Sequence, residues 1–152
     1  MDTDHLIAGT PPVRADTRQP AGARRVGYGV AALIDVVLLV LANGWPGWEA
    51  VPFLTAEAAD VLPLFNLSVG AAVVVNLVQL VRDPPRLVAL GGIVTTGLGM
   101  AVLIRLWRVF PFDFGDTSLD WELVTRILLG LGLAGSAIAL IVNTVQLVRG
   151  RR

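Results

Sequence analysis

Asp35 is the one charged residue in an apolar stretch that runs from Val26 to about Trp45. That stretch has the length, about 20 residues, that a helix needs to cross a bilayer core of roughly 30 Å. Asp35 lies nine positions into it, roughly 14 Å from its start at 1.5 Å per residue. An acid at such depth costs ~2.5–3.5 kcal/mol even on the lenient insertion scale, so it should face other helices and not lipid. Two chemistries suit it. Burial favours the neutral form of a carboxyl, so a membrane acid can bind and release a proton as its hydration changes, as on a proton or cation path. Alternatively the acid is structural, hydrogen-bonded to Thr95 or Thr96 at similar depth in the third span, or to Asn76 or Asn143. No base shares its depth, so a neutral or water-bathed acid is expected in place of an ion pair.

Asn76 and Asn143 belong to a repeat. Asn76-Leu77-Val78-Gln79-Leu80-Val81-Arg82 returns as Asn143-Thr144-Val145-Gln146-Leu147-Val148-Arg149, identical at six of seven positions. Upstream, Ser68, Ala72, Asn76 and Gln79 fall at spacings of four, four and three, which places them on one helical face. A shift of 67 residues gives Gly135, Ala139, Asn143 and Gln146, again on one face. Small residues let helices approach closely, and amides in lipid seek partners, each worth on the order of 1 kcal/mol. Equal depth predicts direct contact between the second and fourth helices. Interhelical adhesion outweighs the alternative, a symmetric substrate or ion position. Gly91, Thr95 and Gly99, with Gly92 and Thr96 beside them, form a further packing face. It is expected to meet Gly27 and Ala31 of the first helix, or a second copy.

The elements that must position these residues are legible from composition. Of 152 residues, 55% are hydrophobic, and the mean hydropathy is +0.71. That exceeds the ~45–50% apolar content of a soluble domain. Residues 1–25 are polar, carry Pro11, Pro12 and Pro20, and read as a disordered arm. The apolar region starts too late and runs too long for a signal-peptide core of about 7–15 residues. The first hairpin covers residues 26–85. Its connection holds Trp45 and Trp48, suited to a membrane interface, and Asp60 is the expected cap of the second span, with Pro63 in its first turn. The second hairpin covers residues 86–149, with Asp120 as the expected cap of the fourth span, and residues 150–152 close the chain.

All twelve bases are arginine. Nine fall in the N-terminal arm, the 82–86 connection and the C-terminus, and three (Arg105, Arg108 and Arg126) near the two long connections, which with their flanks carry seven acids. The positive-inside rule therefore predicts both termini and the middle connection in the cytoplasm. The fold expected is an all-α integral membrane protein, a bundle of four transmembrane helices built as two tandem hairpins in a parallel repeat.

Several functions fall away. There is no cysteine, and the single histidine, His5, lies in the arm, which removes thiolate and most transition-metal sites. Without lysine or an intramembrane histidine, a Ser-His or Ser-Lys nucleophile is excluded, and no phosphate-loop, zinc-protease or nucleophile-elbow pattern occurs. Asp113, Asp116, Asp120 and Glu122 match no calcium loop and read as an ion-paired rim with the nearby arginines. No cofactor is implied. The balanced charge argues against nucleic acid, and the arginines suit anionic headgroups at roughly 1 kcal/mol each.

Asn43-Gly44-Trp45-Pro46-Gly47-Trp48, Val51-Pro52-Phe53-Leu54-Thr55 and Val109-Phe110-Pro111-Phe112-Asp113-Phe114 carry a resemblance. Over residues 26–149 the chain resembles small four-helix membrane proteins of high-GC Gram-positive bacteria. The resemblance implies a plasma-membrane location and supplies no activity or binding residue. The expected function is a non-enzymatic, partner-binding subunit of a membrane assembly, with other subunits or further copies of itself as partners. The alternative is a small oligomeric transporter or proton-coupled channel subunit using Asp35.

Overall fold

The computed structural model describes residues 20–115 and 118–149, and they form four long helices. These are α1 (Ala21–Asn43), α2 (Leu62–Val81), α3 (Pro85–Val109) and α4 (Trp121–Arg149). Each contains an 18-residue stretch with a mean hydropathy of 2.0 to 2.2, long and apolar enough to cross a membrane. No strand forms among the described residues; a single antiparallel bridge joins Leu54 to Phe112.

Helix limits follow local chemistry. Prolines open α2 and α3, where the first turn needs no N–H partner. Asp120 caps α4 as expected, its Oδ1 accepting the Leu123 N–H at 2.9 Å. Asp60 does not cap α2. It ends a short 3-10 turn, Ala56–Asp60, and Val61 precedes the helix without a side-chain cap. Helix α1 begins at Ala21, five residues ahead of the apolar run. No proline or glycine pair interrupts Ala21–Arg25, so the helix continues past its apolar stretch. The remainder of the expected arm, residues 1–19, and residues 150–152 lie outside the described residues.

Packing follows chain order: α1 lies on α2, α2 on α3, and α3 on α4. Neither α1 and α4 nor α2 and α4 share an extended interface. The result is an open row in place of a closed bundle. Little of it is interior, with Ala32, Ala89, Val102 and Leu129 among the few buried side chains. Large apolar residues such as Leu33 (64% exposed) and Ile138 (63% exposed) point outward.

The two ends of the row differ. At the end where α1 begins and α4 stops, Arg24 of α1 pairs with Asp83 of the α2–α3 connection at 2.8 Å. At the other end the two long loops are knitted together. Thr55 N–H donates to the Pro111 carbonyl at 3.1 Å, and Asp113 N–H to the Phe53 carbonyl at 3.0 Å. Pro111 is wholly buried there, and Phe53, Phe112, Phe114 and Trp121 form a chain of ring contacts with centroids 5.7 to 6.3 Å apart.

Candidate functional site: a polar cleft facing all four helices

Helix α3 is the element around which the site is built. Gly91 and Gly92 are neighbours in sequence, so their missing side chains leave gaps about 100° apart around the helix axis. Gly91 seats the Gln79 amide of α2: a Cβ there would stand 2.5 Å from Gln79 Nε2 and 2.6 Å from Val75 Cγ1. Gly92 seats Asn143 of α4, with an added Cβ 2.7 Å from its Nδ2. The third helix thus takes one amide from each copy of the repeat and holds the copies apart. This corrects the expectation of direct contact between the second and fourth helices, since α2 and α4 share no extended interface. It also corrects the expected packing of the Gly91–Thr95 stripe against Gly27 and Ala31: α1 and α3 share no extended interface, Gly27 is exposed, and Ala31 meets the stripe only as a fellow lining residue of the cleft described next.

On the side where α1 and α4 fail to meet, these residues line a cleft of about 430 Å³. Asp35 contributes from α1, Ala72, Asn76 and Gln79 from α2, Gly91, Gly92 and Thr95 from α3, and Asn143 from α4. Asn76 Nδ2 donates to Asp35 Oδ2 at 2.9 Å, so one of the bonding patterns anticipated for the acid is the one formed. Thr95 turns back on its own helix, its hydroxyl donating to the Gly91 carbonyl at 2.9 Å. Gln79 is only 6% exposed, and neither it nor Asn143 makes a side-chain hydrogen bond among the described residues. The lining holds one acid and no base.

Thr96 does not reach this cleft. It lines an adjoining space of about 620 Å³ with Ser68, Gly99, Gly135 and Ala139, and Thr95 borders both. Toward the start of α1 and the end of α4, Val88 is shared with a third space, about 430 Å³, lined by Arg24, Tyr28, Asp83, Gln146 and Arg149. The polar faces of α2 and α4 therefore border neighbouring clefts that share Thr95 on one side and Val88 on the other. Four of the five residues expected at a polar site, Asp35, Asn76, Thr95 and Asn143, come together in the central one.

Two features escape sequence reading. Gln79 reads as a packing residue from its small-residue face, yet it is the buried polar group of the cleft. Asn43 and Asn66 exchange reciprocal amide hydrogen bonds of 2.7 Å, tying the end of α1 to the first turns of α2. Both asparagines lie in apolar helices, which was the available signal.

The rim residues lie on the long loops and on the first turns of α4. Arg126 pairs with Glu122 at 2.8 Å and lies over the Phe110 ring, 4.2 Å from its centroid. Phe110 itself adopts a left-handed conformation (φ 46°) that ends α3. The Thr55 hydroxyl, hydrogen-bonded to the exposed Glu57 carboxylate, holds that carboxyl below its ordinary value. Asp116 lies outside the described residues. Among the described residues no three acids, histidines or cysteines gather into a metal-binding group.

No known family, curated protein or solved structure matches the chain.

Proposed function

We propose that this chain is a four-span protein of the plasma membrane, with both termini cytoplasmic, acting as a non-enzymatic, partner-binding subunit of a membrane assembly. The observation that carries the reading is the lateral opening between α1 and α4, over a floor of Asp35, Asn76, Gln79 and Asn143. Polar side chains facing hydrocarbon are costly, so a groove of this kind is stabilised when a further transmembrane segment covers it. Exposed apolar side chains around the row support insertion. The arginine distribution supports the orientation. The pairing of α1 with α2 and of α3 with α4, the two most extensive contacts, supports a tandem repeat of hairpins. The resemblance to membrane proteins of high-GC Gram-positive bacteria supports the location.

The chain has no cysteine, which makes the test clean. Ile34→Cys on the lip of the cleft should give one discrete crosslinked species in native membranes, at constant stoichiometry in mild-detergent purification. The same probe at Val26, away from the cleft, should not. A chain that purifies as a monomer and yields no lip-specific species would refute the reading.

A second reading draws on one specific observation: Asp35, Asn76, Thr95 and Asn143 line one cleft. On that reading the chain is a subunit of a small oligomeric transporter or proton-coupled channel. Asp35→Asn should then abolish proton-linked flux in vesicles without lowering the amount of folded protein. Unchanged flux would sink this reading.

A further inference from the structure

We infer that the central cleft is a binding site for a small organic cation, a primary ammonium group on a short apolar body. The inference deepens the second reading by naming its ligand class, and it requires no partner subunit.

Three observations converge. The first is charge. Asp35 is the only ionisable side chain of the lining, which among the described residues holds no base. An acid within an apolar helix is offset most directly by a cation brought to it. The second is unused hydrogen-bonding capacity. Gln79 is 94% buried (6% exposed) yet makes no hydrogen bond among the described residues. No fully enclosed side-chain nitrogen or oxygen there lacks a partner, so the Gln79 amide keeps an edge on the open cleft. Buried amides are ordinarily satisfied. The Asn143 amide is likewise unbonded, and Asn76 spends its N–H on Asp35 and keeps its carbonyl oxygen. One carboxylate and three amide oxygens are an acceptor set for the three N–H donors of an ammonium.

The third is shape. The cleft, about 430 Å³, lies within the roughly 300–1,000 Å³ of small-molecule sites and is too large for a bare ion. Ala31, Ile34, Ala72, Val75 and Val88 make the rest of its wall apolar. That wall suits a hydrocarbon or aromatic body attached to the charged head.

The test uses the full chain purified in mild detergent, with thermal unfolding followed by tryptophan fluorescence. The probe is benzylammonium, with neutral benzyl alcohol as its isostere and sodium against potassium as the inorganic control. Benzylammonium should raise the melting temperature saturably and benzyl alcohol should not. Asp35→Asn should weaken apparent affinity at least tenfold, and Gln79→Met, whose unbranched side chain still reaches Gly91, several-fold. If Asp35→Asn fails to fold, Ile34→Trp, which fills the cleft from its lip, must abolish the shift. Equal stabilisation by the alcohol, no saturable shift, or a sodium effect that the amine cannot compete away would each overturn the proposal. Binding is read on the isolated chain and flux in vesicles. A bound cation without flux would therefore refute the transport reading and leave this site standing, whereas lip crosslinking addresses the partner reading alone.

Discussion

Asn76 is bonded to Asp35, whereas its repeat counterpart Asn143 rests on Gly92 without a side-chain hydrogen bond among the described residues. Two residues in near-identical sequence surroundings thus hold different positions, because the first meets the acid of α1 and the second is seated on a glycine of α3. Asn76→Leu strips the acid of its amide donor and leaves a polar group unsatisfied, at a cost of about 1–3 kcal/mol. Asn143→Leu should cost under about 1 kcal/mol. A double-mutant cycle between Asp35→Asn and Asn76→Leu, read by unfolding in detergent, should return a coupling near the 0.6 to ~1.7 kcal/mol found across membrane helices. Equal losses for the two asparagines would contradict the asymmetry.

The glycines of α3 are not equivalent. A methyl group at Gly91 would collide with Gln79 and Val75, whereas one at Gly99 meets nothing within 4 Å. Gly91→Ala should therefore destabilise the chain by about 1–3 kcal/mol through overpacking. Gly99→Ala should be neutral or slightly stabilising. Melting temperatures of the two variants side by side decide the matter, and a stripe used uniformly for self-association would instead make both harmful.

Arg126 meets two partners of unequal worth. Its bond to Glu122 is an exposed pair one helical turn apart, worth about 0.3–0.5 kcal/mol. Its position over Phe110 adds a cation–π contact, about 0.5–1 kcal/mol at an exposed site. Arg126→Gln is expected to cost roughly the sum of these contributions, and Glu122→Gln only the smaller part. Denaturant titration of both variants checks the ordering.

Glu57 provides a pH signature at the loop end. The Thr55 hydroxyl favours its charged form, so its folded-state value lies below the unfolded one. The small stabilisation this brings is present above the unfolded value and fades as pH falls through the folded one. Thr55→Ala should raise the Glu57 value toward the ordinary range. Carboxyl chemical shifts followed across acid pH would reveal the change, and an unmoved midpoint would exclude the hydroxyl as its cause.

The local chemistry was legible because it is local. A proline in the first turn of α2, an aspartate before α4, four apolar runs of spanning length and a lone acid among them need no distant partner to be read. Asp60 failed as a cap because the loop above α2 is held by its own contacts with the second loop, and those draw it into a 3-10 turn. Thr96 failed as a neighbour of Asp35 because one step along a helix turns a side chain about 100°, onto the adjoining space.

The sequence by itself determined the elements: helix number, approximate limits, apolar character, the repeated polar faces and the set of polar residues able to meet within them. Periodicity and transfer cost depend only on residue type and order. Only the tertiary structure decided which faces meet. Two adjacent glycines place α3 between α2 and α4, so the repeats are separated in place of paired, and α1 and α4 are left apart with a cleft between them. That choice rests on a few ångströms of clearance at Gly91 and Gly92, a quantity that neither residue's own neighbours in sequence contain.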